Sequence, residues 1–305
     1  MKKFKSKKRF SNLLLYFVLF LVSVSLSIRY LYKYNKINDD TLVDLLVNDT
    51  MNYYNSDITS IDFLLKYALN VDLKKEEKVF LDTDIKKEEE VEVIKEEVKK
   101  PLVYIYNTHS EEKYSSSYVK DYNVTPSVML ASKILKEYLE NLGIGVVVEE
   151  ENVVDKLNAL GWSYGSSYKV SRMFMEDAYS KNPSLKYFID IHRDSSSYNA
   201  TTCNIDGKKY AKLLFVVGLD NPNYEPNLKL SENLVERINK YNDNLNRGIM
   251  KKSGNKVNGV YNQDFNHNTF LIEVGGQYNS INEVNNTLNV FANILSEYIK
   301  ENENG

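Results

Sequence analysis

Residues Tyr187–Asp194 read YFIDIHRD, and the first part of this stretch shows the pattern that decides the fold class. A strand that is exposed on one face alternates apolar and polar residues, whereas a strand covered on both faces is apolar nearly throughout. Tyr187–Ile191 follows the second pattern and is predicted to be a buried strand. The same pattern predicts further buried strands at Leu102–Tyr106, Val146–Val148, Leu213–Val217 and Phe270–Val274.

Helical patterns lie between these strands. Apolar residues recur every three or four positions in Ala131–Leu142, and Gly143 follows as a stop signal. Similar spacing predicts helices at Val170–Tyr179, Leu234–Tyr241 and Val284–Ile299. Strands that alternate with helices predict an α/β domain, with a mainly parallel sheet that helices cover on both faces.

Polar side chains that can bind a metal lie at the ends of three predicted strands. His109 and Glu112 follow the first strand, His192 lies at the end of the third, and Glu273 lies in the last. Ligands bind at the carboxyl ends of the strands in such sheets, so we expect these groups to converge there. Two imidazoles and two carboxylates are the donor set of a mononuclear zinc hydrolase, which uses three protein ligands and a separate carboxylate base.

Each of these residues also has a structural interpretation. A histidine at a strand end is most often a hydrogen-bonding residue, and Asp190 is suited to orienting an imidazole. Arg193 and Asp194 are interpreted either as an ion pair or as substrate contacts. His267 lies in the polar stretch NQDFNHN and lacks the context of the other two histidines, so it is predicted to stay outside the site.

Composition excludes several classes of function. Over the 305 residues the formal net charge is −3, and no patch rich in Lys and Arg and interleaved with aromatic residues lies outside the N-terminus, so nucleic acid is not expected as a partner. The single cysteine, Cys203, excludes both an intrachain disulfide and a cysteine-cluster zinc site. The length allows one sizeable domain with attachments, or two small domains.

Residues 1–30 are predicted to form a cytoplasmic basic tail and a transmembrane anchor. Six basic residues precede an uncharged run of eighteen residues from Ser11 to Ile28, near the minimum for a membrane-spanning helix. The basic cluster keeps that end in the cytoplasm and places the rest outside; a cleaved signal peptide is the alternative. Residues 31–100 are interpreted as a helical and charged extracytoplasmic spacer, and residues 101–305 as the catalytic domain.

The order of the motifs resembles the stage II sporulation protein P family. That family's pattern runs approximately HTHxxExY, DxHRD, NQ, and then LIEVGG with an asparagine. The corresponding segments here are NTHSEEKY (Asn107–Tyr114), SLKYFIDIHRDS (Ser184–Ser195), NQDF (Asn262–Phe265) and FLIEVGGQYN (Phe270–Asn279). The family is related to the zinc-dependent N-acetylmuramoyl-L-alanine amidases, so the resemblance implies an amidase-like or zinc-exopeptidase-like fold.

The resemblance also implies a function and a setting. It implies a membrane-anchored peptidoglycan hydrolase that cuts the bond between muramic acid and the stem peptide; endopeptidase activity on cross-linked stems is also attributed to the family. The setting would be septal wall thinning and engulfment during sporulation, at the septum between mother cell and forespore. Stage II sporulation proteins D and M are the implied partners.

Residue roles follow from position in the motifs. His109, Glu112 and His192 would be the zinc ligands, and Glu273 would be the catalytic glutamate. Arg193 is expected to assist at the oxyanion.

Two neighbouring positions bear on this ligand set. Asn107 stands where the family often has a first histidine, which favours His109 as the ligand. Glu111 competes with Glu112 for the third ligand position.

Two other functions are weighed against the amidase. A zinc carboxypeptidase has the same order of groups, but the DIHRD and LIEVGG contexts favour the amidase, as does the lack of an obvious arginine site for a C-terminal carboxylate. A membrane-tethered wall-binding scaffold with an inactive site is the alternative outside the enzymes. The presence of all four site residues argues against the scaffold.

Overall fold

The computed structural model describes residues 100–117 and 125–303, together with the isolated positions Asp40 and Val43. The predicted anchor and nearly all of the predicted spacer lie outside the described residues, and the divisions at residues 30 and 100 stay predictions. Within the described ranges, no helix combines the length and apolar character needed to cross a membrane.

Strands and helices alternate along most of the described chain. The strands are β1 (Val103–Tyr106), β2 (Val146–Val148), β3 (Tyr187–Asp194), β4 (Thr202–Ile205), β5 (Lys208–Ala211), β6 (Leu213–Gly218), β7 (Asn246–Lys252) and β8 (Thr269–Gly276). The helices are α1 (Val128–Asn141), α2 (Val153–Leu160), α3 (Ser167–Lys181), the short α4 (Tyr198–Thr201), α5 (Tyr224–Asn242) and α6 (Ile281–Glu303).

The main sheet is mixed, with parallel pairing at its centre. Among the described residues six strands pair in the order β2-β1-β3-β8-β6-β7. The strands β2, β1, β3 and β8 run parallel to one another. Strand β6 is antiparallel to β8, and β7 is parallel to β6. The prediction of a mainly parallel sheet is therefore confirmed, with β6 and β7 running the opposite way.

Helices cover both faces of this sheet, as the apolar strands predicted. On one face, Met175 and Ala178 of α3 pack against Tyr104, Tyr106 and Phe188. On the other face, the ring of Phe291 of α6 lies 6.3 Å from the ring of Phe215 and 6.4 Å from that of Phe270, measured between centroids. Burial of these large rings supplies much of the hydrophobic stabilisation of the fold.

Five of these elements were not predicted from the sequence, namely strands β4, β5 and β7 and helices α2 and α4. Strand β7, NRGIMKK, is half-buried or exposed along its length and lacks an apolar run. The β4–β5 hairpin turns at Asp206 and Gly207, whose φ angles of 51° and 82° are those of a type I′ turn. Helix α2 is capped by Asn152, whose side-chain oxygen accepts from the Val154 and Asp155 N–H groups.

Strand register explains how distant parts of the chain meet at one edge. Tyr106 pairs with Asp190, and His192 pairs with Glu273 on the next strand. Because side chains alternate between faces, Asp190 and His192 project toward the same side as α3. The turn after β1 continues from the same edge, so His109 and Glu112 lie beside the end of β3.

Candidate active site

The turn after β1 is tied to β3 by a buried aspartate. Asp190 Oδ1 accepts the Thr108 N–H at 2.9 Å, and its Oδ2 accepts the Thr108 hydroxyl at 2.6 Å. The Glu112 N–H then donates to the His109 carbonyl at 2.9 Å and closes the turn. His109 and Glu112 are therefore held at the end of β3, where His192 lies.

Asn107 and Glu111, which bear on the choice of ligands, both point elsewhere. Asn107 is buried: its Nδ2 donates to the Ile191 carbonyl at 2.7 Å, and its Oδ1 accepts the Ser132 hydroxyl at 2.9 Å. Glu111 is exposed and accepts from Asn152 Nδ2 at 2.6 Å. Asn107 thus has a structural role, and the geometry favours Glu112 over Glu111.

His192 lies between two carboxylates. Its Nδ1 is 3.5 Å from Glu112 Oε2, and its Nε2 is 3.0 Å from Asp190 Oδ1, although the second pair lacks the alignment of a hydrogen bond. Burial alone lowers the pKa of His192, but the charges of Asp190 and Glu112 outweigh it and raise this pKa well above its ordinary value. Asp190 is therefore placed to orient the imidazole, as the sequence suggested.

Glu112 is held by the same cluster. Its Oε2 accepts the Arg193 backbone N–H at 3.0 Å. Burial raises the pKa of Glu112, but the contacts with His192 and with the Arg193 N–H outweigh burial and lower that pKa below its ordinary value. Glu112 is therefore an ionised carboxylate at neutral pH.

His109 sits among aromatic rings. Its ring stacks on that of Tyr164, with centroids 5.0 Å apart and planes 16° from parallel, and meets His192 edge-on at 5.2 Å. Burial, and next the charge of His192, lower the pKa of His109. The imidazole is therefore neutral at physiological pH, which is the form that binds metals.

Glu273 is the buried carboxylate of this edge. Its Oε2 has no hydrogen-bond partner among the described residues. Burial, followed by the carboxylates of Glu112 and Asp194, outweighs the charge of His192 and raises the pKa of Glu273 to about 7. A carboxylate that titrates near neutral pH is suited to taking and returning a proton.

Tyr114 lies beside the site, although the sequence analysis assigned it no role. Its backbone is fixed because its N–H donates to the Pro126 carbonyl at 2.8 Å, and its buried hydroxyl has no partner in the described part of the chain. Burial, and then the charges of Glu112 and Glu273, raise the pKa of Tyr114 well above its ordinary value. The signal was available, because this tyrosine is the last residue of the HTHxxExY-like motif.

Arg193 and Asp194 do not pair with each other. The Arg193 Nε–H donates to the Lys113 carbonyl at 3.1 Å. Asp194 Oδ2 instead accepts from Arg247 of β7 at 2.6 Å, and this contact helps to lower the pKa of Asp194. Arg247 could not be found from the sequence, because the strand that carries it was not predicted.

His267 lies apart from this edge. It precedes β8 and helps to line a groove of about 520 Å³, together with Lys229, Asn233 and Tyr298. The prediction that His267 stays outside the site agrees with this position.

The donor chemistry of the site fits zinc, although the side chains as placed do not close around an ion. Within residues 100–117 and 125–303, no group of three or more histidine, cysteine, aspartate or glutamate side chains converges closely enough to hold a metal. Four buried atoms at this edge nevertheless lack a hydrogen-bond partner in the same ranges: His109 Nδ1, His192 Nε2, Glu273 Oε2 and the Tyr114 hydroxyl. His192 Nε2 lies 3.0 Å from Asp190 Oδ1 without the alignment of a hydrogen bond. The other buried atoms without a partner are Tyr106 Oη, Thr269 Oγ1 and Ser296 Oγ. Such atoms are rare and costly in folded proteins, so their clustering indicates a site for a ligand.

Sequence comparison yields matches with one family. The model of the family described as "Stage II sporulation protein P (SpoIIP)" matches residues 34–296. A curated protein of Bacillus subtilis (strain 168), "Stage II sporulation protein P", is 36% identical over 204 residues, which cover 65% of this chain and 51% of that protein. The chain thus spans about half the length of the curated relative that it matches.

Two solved structures resemble this one loosely. Cwp6 from Clostridium difficile matches with a TM-score of 0.37 and 16% identity, over 65% of this chain and 29% of that chain. The CwlD amidase from Clostridioides difficile, solved in complex with the GerS lipoprotein, matches with a TM-score of 0.39 and 15% identity, over 65% of this chain and 98% of that chain.

Proposed function

We propose that this chain, which belongs to the stage II sporulation protein P family, is a zinc-dependent peptidoglycan hydrolase of the N-acetylmuramoyl-L-alanine amidase type. In this reaction water cleaves the amide between the lactyl group of muramic acid and the first alanine of the stem peptide. The observation that carries the proposal is the meeting of His109, Glu112, His192 and Glu273 at one sheet edge, where buried polar atoms lie unpaired among the described residues.

His109, Glu112 and His192 would hold the zinc ion. His192, whose pKa is raised in the metal-free site, would lose a ring proton on binding. Imidazole nitrogen and carboxylate oxygen are the donors of catalytic zinc sites, which leave one position open. When bound, zinc supplies a Lewis acid that polarises the scissile carbonyl and makes water more acidic. Asp190 would keep the His192 ring oriented, since its carboxylate is itself fixed by two bonds from Thr108.

Glu273 would act as the general base and then as the general acid. Its Oε2 takes a proton from the attacking water and later returns it to the leaving amine nitrogen. Burial supports this role, because it raises the pKa of Glu273 to about 7, between those of an ordinary carboxyl and an amine.

Arg193 would contribute positive charge next to the developing oxyanion. Its guanidinium is partly fixed by the bond from Nε to the Lys113 carbonyl. Preorganised positive charge of this kind stabilises charge that develops in the transition state.

Location and partners are part of the same proposal. The uncharged run Ser11–Ile28 would anchor the chain in the cell membrane, with residues 31–305 on the outer side, where peptidoglycan is found. Septal thinning and engulfment during sporulation would be the setting, with stage II sporulation proteins D and M as partners. An alkaline phosphatase fusion after residue 100 should be active, and an active cytoplasmic reporter there would contradict this topology.

Mass spectrometry of released muropeptides tests the reaction. The purified full chain with zinc should release stem peptides that begin with a free alanine amine from intact sacculi. Release of cleaved cross-links would indicate endopeptidase activity, and digestion of short peptides alone would favour a carboxypeptidase. Failure of zinc-loaded protein to release any fragment would refute the proposal.

Metal dependence is tested with a matched set of histidine variants. Chelation should abolish digestion of sacculi, and added zinc should restore it. His109→Ala and His192→Ala should lose both bound zinc, measured by elemental analysis, and activity. His267→Ala is the control and should lose neither, because His267 lies in the groove beside Lys229. Full activity of protein shown to be free of metal would rule out the zinc mechanism.

A further inference from the structure

The connection between α2 and α3 presents large apolar side chains to solvent. It reads LGWSYGS from Leu160 to Ser166, and the residues Leu160, Trp162 and Tyr164 are exposed by 40%, 41% and 55%. Single exposed apolar residues are normal on a protein surface, but a group of them marks a binding surface. Three such residues within five positions are therefore a candidate binding feature.

Tyr164 joins this feature to the candidate active site. Its ring lies parallel to the His109 ring at 5.0 Å, and yet more than half of the residue stays exposed. The exposed Tyr164 ring is therefore in direct contact with a candidate zinc ligand. Trp162, two residues earlier in the same connection, is a second exposed ring. We call Trp162 and Tyr164 the aromatic platform.

The platform is held in place before any ligand arrives. Gly161, with a φ of 66°, ends α2 in the left-handed conformation, and the Trp162 N–H donates to the Leu157 carbonyl at 2.9 Å. The Ser167 hydroxyl donates to the Tyr164 carbonyl at 2.6 Å. A fixed loop loses little conformational entropy on binding, so its rings are suited to ligand contact.

The charge around the platform favours a neutral ligand. The nearby charged side chains are of both signs: Glu111 lies 3.4 Å from Lys113 Nζ, and Glu112 accepts the Arg193 backbone N–H at 3.0 Å. With carboxylates and cations mixed in this way, the platform offers no net charge of one sign to an ionic ligand such as a lipid headgroup or the acidic stem peptide. The glycan backbone of peptidoglycan is uncharged, and the C–H face of a sugar ring packs well on an aromatic ring. A glycan therefore suits the platform better than a peptide or a bilayer does.

We propose that Trp162 and Tyr164 form a glycan subsite, which takes an N-acetylhexosamine ring of the peptidoglycan strand next to the scissile amide. This inference rests on the proposed function, because it assigns the sugar side of that substrate to one side of the site. The stem peptide then leaves on the side away from the platform. The enzyme accordingly prefers stems that are still attached to glycan over free peptides.

The sequence supplies a direct probe, since Trp162 is the one tryptophan of the chain. The full chain, kept free of metal with a chelator, is titrated with N-acetylglucosamine tetramer, and tryptophan emission is recorded. A saturable change is expected. Tyr164→Ala should weaken binding by about 2- to 12-fold, the range of one aromatic stacking contact. Tyr241→Ala is the matched control: Tyr241 is 51% exposed, at the end of α5, and its removal should leave binding unchanged.

Three results would overturn the glycan subsite. They are a tetramer titration without a saturable change, equal weakening by the two tyrosine variants, or an emission change with soluble stem peptide in place of the tetramer. Calorimetric titration of Trp162→Ala with the tetramer tests the second ring independently, and circular dichroism verifies that this variant is folded. The binding assay needs neither zinc nor cleavage, so its result is independent of the hydrolase assay. If the protein binds glycan but does not hydrolyse sacculi, only the proposed function is refuted. If it hydrolyses sacculi but does not bind glycan, only the subsite is refuted.

Discussion

Several buried polar atoms at the candidate active site lack an aligned hydrogen-bond partner among the described residues, whereas the side chains of the loop anchor, Asn262 and Gln263, are paired. Gln263 Nε2 donates to the Val216 carbonyl at 2.7 Å, and its Oε1 accepts the Gly218 N–H at 2.9 Å. Asn262 Nδ2 donates to the Tyr168 carbonyl and to the Ser171 hydroxyl. In the candidate site, by contrast, buried atoms of His109 and Glu273 have no hydrogen-bond partner in the described ranges, and His192 Nε2 lies 3.0 Å from Asp190 Oδ1 without hydrogen-bond alignment.

The difference separates two roles that look alike in sequence. Both regions are polar stretches within family motifs, and both are buried. A paired amide stabilises the native state, and here it offsets the cost of Asn262, which has a φ of 56°. An unpaired buried group destabilises the native state by about 1–3 kcal/mol, so it persists where a ligand or reaction uses it. The two regions should therefore respond in opposite ways to substitution.

The largest expected effect is on the rate of the site variant Glu273→Gln. The change is nearly isosteric but removes the proton acceptor, so hydrolysis of sacculi should fall by about 10²- to 10⁴-fold. Zinc content and circular dichroism should stay as in the parent, because the proposed ligands remain. Activity within about threefold of the parent would show that another group takes the proton. A variant that has lost zinc would make Glu273 a ligand and reopen the role of Glu112.

The same substitution should change how stability depends on pH. In the metal-free protein the pKa of Glu273 is about 7, above the ordinary 4.5 that it regains on unfolding. The folded state therefore binds more protons between these values, and its stability falls as pH rises from about 4.5 to 7. Glu273→Gln removes this loss and should be more stable than the parent above pH 7, by an amount on the order of 3 kcal/mol.

Urea unfolding with chelator at pH 5 and at pH 8 measures this difference. At pH 5 most of the advantage of Glu273→Gln should have disappeared, because the carboxyl is then protonated in the folded parent. An equal difference between variant and parent at the two pH values would mean that burial does not perturb Glu273.

The loop anchor should show the opposite response. Gln263→Leu leaves the Val216 carbonyl and the Gly218 N–H without their side-chain partner, so the free energy of unfolding should fall by about 2 kcal/mol. The exposed Asn255→Ala on the same loop is the control and should change it by less than about 0.5 kcal/mol. If Gln263→Leu were neutral, pairing would not distinguish the anchor from the site.

Much of the fold could be predicted because buried strands carry an unmistakable apolar run. Tyr187–Ile191 and its counterparts place the strand ends, and parallel pairing then brings His192 and Glu273 together. The direction of β6 could not be read, since an apolar run looks the same in both directions. Strand β7 was not predicted because it lies at the edge of the sheet and carries charged residues and a glycine in place of an apolar run.

The residues of the candidate site could be predicted better than the side chains that contact them. The stacking of Tyr164 on His109 depends on how the α2–α3 connection folds back over the turn after β1, and no local pattern records that. The pairing of Arg247 with Asp194 likewise crosses two intervening strands of the sheet. Sequence therefore predicted which polar groups meet, while the aromatic and ionic surroundings required the tertiary structure.

The smallest expected effect compares two buried tyrosines that differ in pairing. The Tyr114 hydroxyl has no partner among the described residues, whereas the Tyr104 hydroxyl donates to Glu149. Tyr114→Phe removes an unpaired polar atom without changing shape, so the metal-free protein should gain about 1 kcal/mol of stability. Tyr104→Phe breaks a bond and should lose about the same amount. Thermal unfolding of the two variants and the parent measures the change in stability of each variant. A loss of stability in Tyr114→Phe would mean that its hydroxyl is bonded in solution, and the contrast between unpaired site and paired scaffold would then fail at this position.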